Sequence, residues 1–103
     1  MNKFASIKKD PAYHSVEFSV EGVDFPYQFR IWENRPDAMS VLVKNDSVIL
    51  NRLKVGDVLD MKYYSEDSIY PSDNIRTAIR YVNEKSQGRL RGHSLVGLQI
   101  ITG

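Results

Sequence analysis

Apolar residues recur at every second position in six separate segments of this chain. They are Val16, Phe18 and Val20; Tyr27, Phe29 and Ile31; Met39, Val41 and Val43; Leu59, Met61 and Tyr63; Ile75, Ile79 and Tyr81, with Thr77 in step between the first two; and Val96, Leu98 and Ile100. A period of two is that of a strand with one face buried, and no segment keeps a helical period over three turns. At 103 residues the chain has room for about one small domain, which buries roughly 60 to 65% of the surface its unfolded form exposes. Six one-faced strands in so short a chain cannot all hide that face in an open sheet. The predicted class is therefore all-β, a six-stranded antiparallel barrel or tight sandwich with little helix, occupying 1–103 as a single domain behind a flexible N-terminal arm at 1–12.

Breaks in the pattern place the connections. Gly22 allows a turn after the first strand, and Pro26 sits at the start of the second, Phe25 to Trp32, where a missing N–H is tolerated. Glu33-Asn34-Arg35-Pro36-Asp37 interrupts the apolar pattern, with Pro36 and Asp37 suited to the centre of a type I turn. Asp46-Ser47 before Val48–Leu53 reads either as a capped helical turn or as a loop with inward apolar anchors. Lys54-Val55-Gly56-Asp57 is a turn signal, Ser65 to Asn74 reads as a long polar loop around Pro71, and Glu84 to Gly88 reads as the turn of a final hairpin.

Composition removes several function classes. With no cysteine there is no disulfide scaffold, thiolate nucleophile or cysteine-based zinc site, and a reducing compartment is compatible. A net charge of +1 supplies no global attraction to nucleic acid or anionic membrane. The N-terminus lacks an apolar signal core, and no stretch nears the roughly 18 apolar residues of a membrane span, so a cytoplasmic protein without membrane insertion is expected. His14 and His93 stand far apart with no ligand cluster around either. No phosphate-cradling glycine loop exists, and Gly56, Gly92 and Gly97 read as turn or bulge residues. The expectation is a protein with no catalytic residues, no metal and no cofactor.

The stretches LKVGDVLDMKYY, IRTAIRYV and GHSLVGLQI, in that order, resemble the second half of PilZ domains. There a turn glycine opens a strand, the next strand carries alternating basic residues, and the last strand has a VGLQ-like signature. The resemblance spans about residues 13 to 101. It implies a six-stranded β-barrel and, for the receptor members of the family, binding of the bacterial second messenger cyclic di-GMP through an RxxxR motif before the first strand and a (D/N)xSxxG motif after the second. Here Glu33 stands at the Asp/Asn position, Arg35 at the serine and Ala38 at the glycine, while Lys8 and Lys9 precede the first strand where arginines belong. A second placement, using Arg30 and Arg35 with Asn45 and Ser47, fails on spacing and puts Leu50 at the glycine.

Arginine grips phosphate through two parallel charge-assisted hydrogen bonds, which lysine cannot do. Losing two such contacts costs about 3 to 6 kcal/mol, on the order of a hundredfold or more in affinity. The resemblance thus implies a degenerate member that contacts another protein and binds the dinucleotide weakly or not at all. The alternative is a receptor using Lys8, Lys9, Arg30, Glu33, Arg35 and Ala38 as substitute ligand contacts. Trp32 is a candidate exposed anchor, and Arg76, Arg80, Arg89 and Arg91 oppose an acidic segment of Asp57, Asp60, Glu66, Asp67 and Asp73. These charges read as cross-strand pairs on a solvated face or as a docking surface. A further alternative is a single-stranded nucleic-acid platform made by the arginines with Tyr63, Tyr64 and Tyr81, although a nucleic-acid partner is the less expected one. A monomer or weak homodimer is expected.

Overall fold

The computed structural model describes residues 13–35 and 38–101. It is a closed antiparallel barrel of six strands: β1 Tyr13–Phe18, β2 Tyr27–Arg35, β3 Ala38–Lys44, β4 Val58–Ser65, β5 Asp73–Lys85 and β6 His93–Ile100. The order around the barrel is β1-β2-β3-β6-β5-β4, and β1 pairs with β4 to close it. The all-β expectation holds, with barrel closure the solution.

The interior follows the period of two. Val16, Val41, Val43, Met61, Tyr63 and Val96 are fully buried, and Phe18, Ile31, Met39, Ile79 and Leu98 are nearly so. Registers such as Val16↔Phe29, Val41↔Val96 and Met39↔Leu98 put inward residues opposite one another, so each layer of the core is filled from several strands. Tyr63 carries a hydroxyl into this core and shares a 2.7 Å hydrogen bond with the hydroxyl of buried Thr77. Burial pushes the Tyr63 phenol above its ordinary value, and the Thr77 contact opposes that rise only in part.

The segment between β3 and β4 follows the expectation of inward apolar anchors, around a short helical turn that has no side-chain cap. Ser47 Oγ accepts from the Ile49 N–H, a single 3-10 turn forms at Leu50–Arg52, and Ile49 and Leu53 point into the core. Ile49 and Leu53 flank that turn, one as its N-cap and one as its C-cap.

Strand limits differ from the pattern wherever polar residues pair. Glu33, Asn34 and Arg35 belong to β2, in register with Ser40, Met39 and Ala38, so only positions 36 and 37 separate the strands. Those two positions, and the turn type expected there, lie outside the described residues, as does the arm at 1–12. Asp73 and Asn74 open β5 opposite Tyr63 and Lys62, shortening the long loop to 66–72, and Glu84 and Lys85 end β5 opposite Ser94 and His93 instead of turning. Ladder hydrogen bonds join main-chain groups, so a polar side chain on the outer face does not end a strand.

Candidate functional site

Two bulges organise the outer surface. In β2 the register passes from Ile31↔Val41 to Glu33↔Ser40, leaving Trp32 as an extra residue. In β5 it passes from Ile79↔Leu98 to Tyr81↔Gly97, leaving Arg80 extra. Ser40 pairs directly with Gly97, so Glu33, Ser40, Gly97 and Tyr81 form one continuous row across β2, β3, β6 and β5, with a bulge at each end. Each bulge sharpens the local twist that closing a barrel requires.

The middle of that row is built from small residues, and its ends lean over them. A Cβ on Gly97 would stand 2.2 Å from the Tyr81 ring, so the ring rests directly on the glycine backbone. Ser40, on the outer face by alternation, is nevertheless wholly shielded from solvent, and its hydroxyl donates to Glu33 Oε1 at 3.0 Å. Trp32 remains 52% exposed beside exposed Arg30, its neighbour on the same face of β2. An indole and a guanidinium standing two residues apart on a strand offer flat apolar area and planar hydrogen-bond donors to anything that docks there.

The residues singled out from sequence fall into three places. Arg30, Trp32 and Glu33 share the outer face of β2, and Arg35 and Ala38 are the last paired positions of the β2–β3 ladder. Lys8 and Lys9 lie outside the described residues. Arg76 faces its cross-strand partner Asp60 in a 3.9 Å ion pair whose side chains are largely exposed, as expected of pairing on a solvated face. Arg80 occupies the β5 bulge, while Arg89 and Arg91 lie on the connection beyond the end of β5. Arg76 and Arg80 are four residues apart on a strand that rises about 3.3 Å per residue, and Arg89 and Arg91 lie beyond its end.

The tyrosine platform is not formed. Tyr63 is inside the barrel, Tyr64 lies on the outer face of β4 donating to Glu17 Oε1, and Tyr81 covers Gly97. The bond to Glu17 holds the Tyr64 phenol above its usual value, because ionising it would give up that hydrogen bond. Tyr81 was expected on the inner face with Ile75, Thr77 and Ile79, and the extra residue at Arg80 turns it outward.

Sequence reasoning missed Ser40, Gly97 and Tyr81 as a unit. The spacing of apolar residues offered no signal, since Ile79 to Tyr81 is the regular step of two.

His93 lies between Lys44 and Lys85 in cross-strand register, and its Nδ1 is 3.4 Å from the Arg91 carbonyl. No cluster of three or more His, Asp or Glu side chains suited to a metal occurs among the described residues. None of the helices among the described residues is long and apolar enough to cross a membrane. Comparison with protein-family models, with curated proteins and with solved structures finds no match.

Proposed function

We propose that this chain is a non-enzymatic, PilZ-like domain of bacterial cyclic di-GMP signalling that works as a protein-interaction adaptor, with weak or no nucleotide binding of its own. The observation that carries this reading is Trp32: an indole lifted from the ladder by a bulge, half exposed, with Arg30 beside it. Tryptophan and arginine are the residues that most often dominate binding at protein interfaces. The closed six-stranded barrel agrees with the architecture that the resemblance implies. The β2–β3 ladder supports the nucleotide half of the reading, since pairing up to Arg35↔Ala38 leaves two positions for a loop that in receptor members depends on a glycine.

A second reading draws on the same pair of side chains. Arg30 and Trp32 as outward neighbours are suited to holding a phosphate and stacking on a guanine, which is the arrangement a substitute receptor site needs.

Titration of the protein with cyclic di-GMP, followed by two-dimensional NMR and calorimetry, separates the two. The adaptor reading expects no saturation below about 100 μM, in line with the loss of two arginine contacts. Saturable binding at low micromolar concentration, with shifts centred on residues 30–35 and lost in Arg30→Ala, would establish the receptor reading instead.

A further inference from the structure

The barrel is closed, yet one strand outruns its neighbour. β5 is 13 residues long and β4 is 8. β4 pairs with β5 only as far as Val58↔Ala78, and the turn before β4 extends the contact by one residue, through Gly56 N–H to Ile79 O and Ile79 N–H to Asp57 O. From Arg80 to Lys85, β5 is paired on its β6 side alone. The Gly92 N–H bonds to the Lys85 carbonyl, so the main-chain groups of Lys85 point toward β6. Register is unbroken from Lys85 back to Val82, and a strand's main-chain groups alternate sides. Those of Val82 and Glu84 therefore point away from β6, and no main-chain partner for them occurs among the described residues. Two N–H groups and two carbonyls thus lie in a row on a free strand edge.

We propose that this edge is the contact between two copies of the chain, which join β5 to β5 antiparallel about a two-fold axis through Asn83. The choice of a second copy comes from the self-complementarity of the segment Arg80-Tyr81-Val82-Asn83-Glu84-Lys85. With the axis at Asn83, Val82 comes opposite the partner's Glu84 and Glu84 opposite the partner's Val82. Both are hydrogen-bonded positions, so the four free groups of each copy are all used in four hydrogen bonds. Lys85 then comes opposite the partner's Tyr81 on the outer face, a cation beside an aromatic ring. No two like charges are directly opposed. A two-fold contact of this kind closes on itself and stops at the dimer, where a head-to-tail contact would continue into a fibre. The proposal is independent of the adaptor reading, since it uses neither Trp32 nor the β2–β3 hairpin.

Sedimentation equilibrium of the full chain from 10 μM to 1 mM tests it, together with Glu84→Pro. Proline at this position removes an N–H that points away from β6 and leaves the β5–β6 ladder intact. The expected result is a mass rising from 11.8 kDa toward twice that value, with association weakened at least tenfold in Glu84→Pro. Amide exchange at Val82 and Glu84 supplies a readout that needs no variant, because both amides should gain protection at high protein concentration while Trp32 does not. A mass of 11.8 kDa at 1 mM, self-association unchanged in a folded Glu84→Pro, or exchange at Val82 and Glu84 independent of concentration would each overturn it.

Discussion

The two bulged hairpins of this barrel use the same device and reach opposite ends. In β5 the bulge turns an aromatic ring outward and that ring settles on Gly97, half hidden. In β2 the aromatic is itself the extra residue: Trp32, outward already by alternation with Ile31, stays 52% exposed. The floor is one part of the difference. Gly97 has no side chain, so an aromatic ring can lie flat on its backbone. On β3 the equivalent position, Ser40, lies opposite Glu33 and its hydroxyl is engaged with that carboxylate, while Trp32 has no register partner on β3. Place within the bulge therefore matters as well as the neighbouring strand: Tyr81 follows the extra residue and pairs with a glycine, whereas Trp32 is the extra residue itself.

The largest expected effect tests the packed end. Gly97→Ala sets a methyl group against the Tyr81 ring and should cost about 1 to 3 kcal/mol in urea unfolding, the usual penalty for overpacking. In a Tyr81→Ala background the same change should cost less than about 1 kcal/mol, and that coupling is what shows the ring to be the obstacle. Equal penalties in the two backgrounds would break the comparison. Ser40→Ala comes next, at about 1 kcal/mol from loss of a hydrogen bond to a charged acceptor at a part-buried site. Its NMR signature should be confined to Glu33 and its neighbours. The smallest effect belongs to Trp32→Ala, which should shift unfolding by no more than about 0.5 kcal/mol, as expected of an exposed side chain off the core. A cost above about 2 kcal/mol would mean that Trp32 packs as Tyr81 does.

How much of this was legible depends on which atoms carry the information. Side-chain alternation reports which face is buried, so the sequence alone places Val16, Phe29, Val41, Met61, Ile79 and Leu98 on the inner side. Strand ends are set by main-chain pairing, to which side-chain polarity is nearly indifferent, so Glu33–Arg35, Asp73–Asn74 and Glu84–Lys85 read as turns or loop and are in fact ladder. A bulge inserts one residue with no distinctive composition, and Trp32 and Arg80 give no local warning. The Glu33–Ser40–Gly97–Tyr81 row is illegible for a different reason. It joins four strands whose registers come from closure of the whole barrel, and no stretch of sequence contains it.

The extra residue in β2 has one more consequence. Before it, odd-numbered side chains face inward, as with Tyr27, Phe29 and Ile31; after it, the inward position opposite Met39 belongs to Asn34. Excising Trp32 would accordingly restore uninterrupted alternation and leave all remaining side chains of β2 on the faces they now occupy. The largest aromatic side chain in the protein is, to the hydrogen-bonding lattice, a spare link.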